Sequence, residues 1–581
     1  MSNAWDQDKI IRVDMTTQRV ETTAFPPEWK LLGGRALSAK ILLNECDPKC
    51  DPLGPANVLV LAPGVMSGTS APTSGRLSVG CKSPLTNGIK EANVGGEPGQ
   101  DLMKLGYRAI VVKGQPKDRE KRWGLVVNGD GVELVDATAY KGMLNYASCK
   151  KLLGQFPDSA SAITIGPAGE MMLKGASVGC TDKSKDRRPA RHAARGGVGA
   201  VMGSKCLKWV LVDPGKLPVR KPADSKGFAQ YMKQFSKEYI GGPRHQTFMN
   251  GTSAVVPIAN MLWTFPYKNR TAGRNPHFEG LDGAKINETF ETRGGGMHNC
   301  MTGCIVKCSN IVHDKDGNYK TSALEFETLT LLGSCCDINN WEDVADMDRL
   351  CDELGLDTIE TGAAIAVLMD SGGMKWGDAE GAKKLLSDDV ARGTELGKLV
   401  GNGALAVGTA RKHKRIPVSK GQAVPAWDPR PLKAVGVTYA TSAMGADHTA
   451  GLVINPELGG EDAAKASQEI QMINAMCDSS GFCMFLGPTM DETRKFFGLF
   501  YGEDVTREQM ADIAWECLAD EWEFNDRAGF TVADDDVPAC LREEGVGENG
   551  EMKFDVPPAA IAIAKQRQPV ADAFFTKSPA G

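Results

Sequence analysis

The chain has 581 residues, 67 Lys plus Arg against 73 Asp plus Glu, and a net charge of −6. That length exceeds what one hydrophobic core usually supports, so two to four domains are expected, with core enough to bury a large cofactor. A pI near 5.8 argues against nucleic acid as the main partner, and apolar runs such as VLVLAP fall far short of the ~18 residues of a membrane span. Sixteen scattered cysteines indicate a reducing compartment where thiols serve as ligands or core residues. The opening MSNAWDQDKI has neither a basic n-region nor an apolar h-region, so a cytoplasmic protein is expected. Glycine, 66 residues in short bursts, exceeds the usual ~7% and points to backbone packed closely on ligands.

From KIIRVDMTTQRVETTAF to KCLKWVLVDPGKLPV, short β-rich runs (NVLVLAP, RAIVVKGQ, WGLVVNGDGVELV) alternate with Gly, Pro and Asn, predicting a mainly β domain over residues 1–211. After DPGKLPVRKPAD the periods lengthen to helical ones, as in SALEFETLTLLGSCC, TIETGAAIAVLMDSG and AAKASQEIQMINAMCDSS. Two helical domains are expected, 212–418 and 419–581, divided near the Pro- and Gly-rich KRIPVSKGQAVPAWDPRP. The fold class is α+β. There is no low-complexity tract and no array repeat, but DELGLD at 352–357 and DSSGFC at 478–483 echo one another as D-x-x-G-x-[D/C] at the ends of helical runs.

HNCMTGCIVKC places Cys300, Cys304 and Cys308 at four-residue intervals. On a straight helix the outer two would stand about 12 Å apart, too far for one compact centre, so the stretch must bend, and Gly303 permits it. A metal loop competes with three buried free thiols. Zinc would want a paired fourth ligand nearby, which does not follow, and the spacing misses the C-x3-C-x2-C of radical-SAM loops. Each half of the echo, taken alone, reads as a helix C-terminal turn stopped by Gly355 or Gly481. Taken together they form two similar loops that could grip two similar halves of a ligand, with Asp352, Asp357 and Asp478 as acceptors. Cys483 is then free to join the trio as the fourth ligand of a [4Fe–4S] cluster.

RPARHAARGGVGAVMGSK misses the dinucleotide fingerprint and the phosphate loop. Arg191 and Arg195 beside its glycines suit an anionic phosphorylated ligand, or an exposed basic loop. Arg76 in SAPTSGR and Asn93 with Gly95 in EANVGGEPG supply two more polar, glycine-bearing loops. His448 in GADHTAG sits between small residues that leave room beside it. Glu327 is a carboxylate within an otherwise apolar helical run.

GTSAPTSGR, KSPLTNGIKEANVGG, TIGPAGE, RGGVGAVMGSK, CDELGLDT, PAWDPR, TYAT and DSSGFC occur in an order that resembles the tungsten-dependent aldehyde:ferredoxin oxidoreductase family, over almost the whole length. The resemblance implies a β-rich base domain and two helical domains, with a tungsten bis-pyranopterin between them and a [4Fe–4S] cluster beside it. By position it implies pterin contacts at Arg76, Asn93, Gly95, Arg191, His192, Ala194, Arg195, Asp352, Leu356, Asp357, Asp478 and Phe482. The carbonyls of Asn93 and His192 fall where a Mg²⁺ bridging the pterin phosphates is ligated. Cys300, Cys304, Cys308 and Cys483 fall at the cluster ligands. Two departures stand out. C-x3-C-x3-C replaces the frequent C-x2-C-x3-C, and Asp346 and Arg349 stand where some members carry an iron-binding E-x-x-H.

The implied reaction is R-CHO + H2O → R-COOH + 2e⁻ + 2H⁺, with W(VI) reduced to W(IV). In it His448 polarises the carbonyl or accepts a proton, and Glu327 assists water or a tungsten oxo ligand. The expected partners are a polyferredoxin-like iron–sulfur subunit and a flavin subunit. The rival readings are an aryl-CoA reductase subunit with the same cofactor type and a non-catalytic iron–sulfur scaffold.

Overall fold

A computed structural model describes residues 5–182 and 186–579; residues 1–4, on which the reading of the N-terminus partly rests, lie outside that range. The β-rich region is two six-stranded sheets. The first contains β1 (Lys9–Asp14), β2 (Arg19–Ala24), β3 (Leu59–Pro63), β4 (Leu77–Lys82), β5 (Ile89–Val94) and β6 (Tyr107–Lys113), in the order β2-β1-β6-β3-β4-β5. The second contains β7 (Trp123–Asn128), β8 (Gly131–Asp136), β9 (Ser161–Thr164), β10 (Val178–Cys180), β11 (Arg191–Ala193) and β12 (Leu207–Asp213), in the order β8-β7-β12-β9-β10-β11. Adding six to each strand number of the first sheet reproduces the second. In each, the first and last strands pair in parallel (β1 with β6, β7 with β12), and every other neighbour is antiparallel.

Helices fall at matching places. In the first half α1 (Gly34–Glu45) precedes the third strand and α2 (Pro98–Lys104) the sixth; in the second half α3 (Asn145–Leu153) and α4 (Val198–Ser204) do so. The domain is therefore a structural duplication, which the sequence betrayed only through the distant D-x-x-G echo.

Period-two alternation explains how the sheets stack. Ile11, Val13, Leu59, Leu61, Leu77 and Val79 of the first sheet share a core with Leu125, Val127, Ile163, Val210 and Val212 of the second. The alternate residues Ile10, Val60, Ala62 and Val111 turn the other way, onto Ala36, Leu37, Ile41 and Leu42 of α1 and onto helices near the C-terminal end. With both faces covered, the first sheet is buried on either side. The outer face of the second sheet, through Ala162, Trp209 and Leu211, meets Cys149, Leu152 and Leu153 of α3.

The helical part includes α5 (Ser225–Tyr239), α6 (Trp341–Leu354), α7 (Thr358–Asp370), α8 (Lys433–Thr441), α9 (Gly460–Ser480), α10 (Met490–Tyr501) and α11 (Arg507–Ala528). α6, α7 and α8 build one core. α9, α10 and α11 join α1 in another. SALEFETLTLLGSCC is not one regular helix: after Phe326–Thr328 it widens into a π-turn at Leu329–Gly333 and tightens into a 3₁₀ turn at Ser334–Cys336. The widening lies where α7 presses in, since a Cβ on Gly362 would stand 2.4 Å from the Leu331 carbonyl carbon. The segment expected to divide the helical domains is largely buried from Gln422 onward. Asp428 accepts from Arg430 Nη2 at 2.7 Å and lies 3.3 Å from Arg270 Nη1, all three buried. No described helix is long and apolar enough to cross a membrane.

Candidate functional site

The two sheets present their edge strands, β5 and β11, to one cavity of about 1090 Å³. Asn93 on β5 stands opposite Ser78, and His192 on β11 opposite Gly179, so the duplication places these two residues at equivalent edge positions. The helix ends carrying the echo dock equivalently. α6 ends at Gly355 (φ +74) and α9 at Gly481 (φ +87), both left-handed positions that favour glycine. Gly355 O accepts the Ser177 N–H at 2.8 Å, and Gly481 O accepts the Arg76 N–H at 3.1 Å, each donor lying just before the fourth strand of its half. A Cβ on Gly166 would meet Leu354 O at 2.2 Å, and one on Gly64 would meet Gly481 Cα at 2.1 Å. Backbone approaches backbone at both docks, and only glycine allows it.

Of the residues singled out in the sequence, Arg76, Asn93, Gly95, Arg191, His192, Ala194, Arg195, Cys300, Cys308, Glu327, Asp352, Leu356, Asp357, His448 and Cys483 line the cavity. Cys304, Asp478 and Phe482 do not. Phe482 is fully buried with its ring against Phe496 at 5.2 Å, so its side chain is core. Asp478 faces Arg35 Nη1 at 3.7 Å, and burial pushes its carboxyl well up despite Arg35 and Arg76. Asp357 caps α7 through the Ile359 N–H at 2.9 Å as well as facing the cavity.

The arginines differ. Arg195 is engaged by protein: Nη1 donates to Ala446 O at 2.6 Å, Nη2 to Ala423 O at 2.5 Å, and Nε faces Asp357. Arg191 uses Nη1 on Ser309 Oγ at 2.9 Å, leaving buried Nε and Nη2 without partners among the described residues. Arg76 Nε is likewise buried and unpartnered. Burial alone would depress Arg76, but the Cys483 and Cys300 sulfurs nearby hold it charged. Buried cationic donors without acceptors are costly, so these fit an anionic or polar group seated in the cavity.

The cysteine loop, residues 299–308, joins two strands, Gly296–His298 and Ser309–His313. It bends as the spacing required, with Gly303 at φ +77. Thr73 ties it to the distant fourth cysteine: Thr73 N–H donates to Gly303 O and Thr73 Oγ1 accepts the Ile305 N–H, both at 3.0 Å, while Thr73 O accepts the Cys483 N–H at 3.0 Å. The neighbouring Cys304, together with burial, raises the Cys300 thiol, while Cys300 lowers the Cys304 one. Burial raises Cys308 and Cys483. No three His, Cys, Asp or Glu among the described residues stand close enough to share a single metal ion. Four cysteine thiols brought near one another from two loops are the kind of donor set that an iron–sulfur cluster takes.

Glu327 and His448 meet across the cavity. Glu327 Oε2 accepts the Ala426 N–H at 2.7 Å, whereas Oε1 is buried without a donor and lies 3.7 Å from the unpartnered His448 Nδ1. That gap exceeds a direct hydrogen bond. Lys90, Asp348, Glu325, Trp427 and Asp447 also line the cavity and were not anticipated. Asp447 could have been suspected from its place before His448, and Asp348 from lying four residues before Asp352 on one face of α6. Asp348 carries a carboxyl pushed well up by burial and by Asp352.

Residues 10–214 match the model of the aldehyde ferredoxin oxidoreductase N-terminal domain, and residues 230–563 that of aldehyde ferredoxin oxidoreductase domains 2 and 3. The chain is 31% identical to a tungsten-containing aldehyde ferredoxin oxidoreductase of Pyrococcus furiosus, covering 93% of this chain and 92% of that one. The identity and both coverages are the same for the protein of that description from Thermococcus kodakarensis. It is 28% identical to the WOR-like subunit of an aliphatic sulfonate oxidoreductase of Pyrococcus furiosus, over 86% of this chain and 83% of that one. In fold it resembles the active-site complex BamBC of benzoyl coenzyme A reductase, with a TM-score of 0.79 at 20% identity and coverage of 93% and 91%. With both of its regions matched in order and curated relatives aligned over nearly its whole length, the chain belongs to the aldehyde ferredoxin oxidoreductase family, whose members include tungsten-containing oxidoreductases.

Proposed function

We propose that the protein oxidises aldehydes with water to carboxylic acids and passes the electrons through a [4Fe–4S] cluster to a ferredoxin-like partner. The observation that carries this reading is the convergence, on one cavity, of unpartnered Arg76 and Arg191 donors, the Glu327–His448 pair and the sulfurs of Cys300, Cys308 and Cys483. Arg76, Gly95, Arg191, Ala194, Arg195, Asp352, Leu356, Asp357, Asp478 and the backbone at Phe482 would hold a tungsten bis-pyranopterin. The edge-strand carbonyls of Asn93 and His192 would ligate a Mg²⁺ between its phosphates. Cys300, Cys304, Cys308 and Cys483 would hold the cluster. When bound, the tungsten centre supplies the two-electron acceptor that aldehyde oxidation requires.

The protein's own part is to exclude water, orient the carbonyl and move protons. Glu327 Oε1, having no donor of its own, takes a proton from the water consumed in the reaction. His448 Nδ1, on the other side of the 3.7 Å gap, relays it or steadies the carbonyl oxygen. The balance is R-CHO + H2O → R-COOH + 2e⁻ + 2H⁺. Lacking a dinucleotide fingerprint, the chain would hand its electrons to a polyferredoxin-like iron–sulfur subunit and a flavin subunit. The sulfonate oxidoreductase relative, itself described as a subunit, supports a multi-subunit setting.

The test is metal and pterin analysis of the purified protein, with aldehyde-dependent reduction of an oxidised dye assayed beside aryl-CoA-dependent oxidation of a reduced dye. One tungsten and about four iron per chain with aldehyde-dependent dye reduction is expected. Activity confined to aryl-CoA would move the protein to the ring-reducing class, and iron without pterin would make it an electron-transfer scaffold.

A further inference from the structure

His448 is placed by its neighbours rather than by contacts of its own ring. Its Nδ1 is buried without a hydrogen-bond partner among the described residues. The backbone on either side is pinned: Ala446 O accepts from Arg195 Nη1 at 2.6 Å and from Gln422 Nε2 at 2.7 Å, and Thr449 O accepts from Asn474 Nδ2 at 2.9 Å. Between them lies Asp447, which caps the short 3₁₀ turn His448–Ala450. Its Oδ1 accepts the Thr449 N–H at 3.1 Å and the Thr449 hydroxyl at 2.8 Å, while Oδ2 takes Lys90 Nζ at 2.6 Å.

Lys90 and Asp447 are 1% and 2% exposed, and both face the cavity. Lys90 reaches Asp447 along a path only glycine leaves open, since a Cβ on Gly196 would stand 2.5 Å from Lys90 Cγ. It projects from β5, the edge strand that also carries Asn93. A desolvated ion pair is weak evidence of stability in itself, so its place on the cavity wall beside His448 points to another role.

We propose that the Lys90–Asp447 pair is a positioning device that registers His448 against Glu327, from the same strand that carries the candidate cofactor contact at Asn93. The inference rests on the reading of His448 as the proton-handling residue. Burial would push the Asp447 carboxyl up, but Lys90, Arg195 and His448 together hold it well below the usual carboxylate range, so the anion persists at any working pH. The charged groups facing His448 are Glu327 Oε1 at 3.7 Å and Asp447 Oδ1 at 3.9 Å; those facing Asp447 are Lys90 and Arg195.

The experiment compares Asp447→Asn, Lys90→Met and Lys90→Arg in the metal-loaded full chain, each with and without His448→Asn, by aldehyde-dependent dye reduction across pH. Asp447→Asn and Lys90→Met should lower kcat by about ten- to a hundredfold, the scale of a small misplacement, with KM and the tungsten and iron contents near wild type. Lys90→Arg should recover most of the activity, and neither loss should add to that of His448→Asn. Loss of metal along with activity, full additivity with His448→Asn, or no recovery in Lys90→Arg would each overturn the proposal. If the wild type oxidises no aldehyde, the functional reading fails by itself. The pair is then judged by crystal structures of Asp447→Asn and Lys90→Met, in which a ring still facing Glu327 refutes the positioning role and a displaced ring supports it.

Discussion

Replacing Gly481 by alanine separates the cost of backbone conformation from the cost of the docking it permits. Gly481 ends α9 at φ +87, and a non-glycine residue there loses about 1–2 kcal/mol. The added Cβ would also lie 2.8 Å from Ser67 Oγ and 2.9 Å from both Gly64 Cα and Ser74 O, and two of these three atoms are backbone that cannot swing aside. Overpacking of this kind costs about 1–3 kcal/mol more. Gly529 is the control, because it ends α11 at φ +107 with nothing within 4 Å of its Cβ position, so Gly529→Ala pays for conformation alone. Gly481→Ala should therefore melt about 1–3 °C below Gly529→Ala. Because Cys483 follows two residues later on the loop tied to Thr73, it should also lose iron, which the control should retain. Differential scanning fluorimetry with iron analysis on both variants is the assay. Equal melting temperatures and full iron in Gly481→Ala would refute the claim that this glycine couples helix termination to the thiol quartet.

Cys483→Ala should lose iron while keeping the fold; wild-type iron and an unchanged cluster signal would remove Cys483 from the ligands. His448→Asn, which keeps a polar side chain but no group titrating near neutrality, should cut turnover by roughly 10²–10⁴ with tungsten and iron unchanged, as measured by dye reduction on metal-quantified samples. Purified alone, the chain should reduce artificial dyes with aldehyde but not NAD⁺, and NAD⁺ reduction free of copurifying proteins would count against the need for a partner. Asp101, buried between Ser161 Oγ and Lys104, has its carboxyl pushed up to about 6 from 3.8 by burial. Its folded form thus holds a proton that the unfolded form has shed. The stabilisation is fully present below pH ~4 and is lost as pH rises through about 6, so the melting temperature of Asp101→Asn relative to wild type should increase from pH 4 to pH 7.

The sequence by itself determined the local features. Short β-rich runs bounded by Gly, Pro and Asn marked β3, β6, β7 and β8, because a buried strand needs only a few consecutive apolar residues between turn formers. Glycines after D-x-x marked the ends of α6 and α9, because a left-handed cap is a one-residue requirement. The C-x3-C-x3-C spacing demanded a bend, which Gly303 provides. Of the residues singled out from local pattern and family order, fifteen line the cavity wall, whereas Cys304 does not, Phe482 contributes a core side chain and Asp478 turns to Arg35. What only the tertiary structure decided depends on residues far apart in the chain. The duplication of the sheets resides in strand order and in which neighbours run parallel, and neither leaves a mark in local composition. Lys90 and Asp447 lie 357 residues apart and look like ordinary surface charges until the fold removes water from both. Thr73 joins the cysteine loop to Cys483 through its N–H, its carbonyl and its hydroxyl, and with partners more than 200 residues away no local sequence pattern could announce it. The Pro- and Gly-rich stretch before α8 marked a candidate boundary because its composition breaks helices. That it is buried from Gln422 onward, with Asp428 between Arg270 and Arg430, depends on partners more than 150 residues away and is decided by the fold.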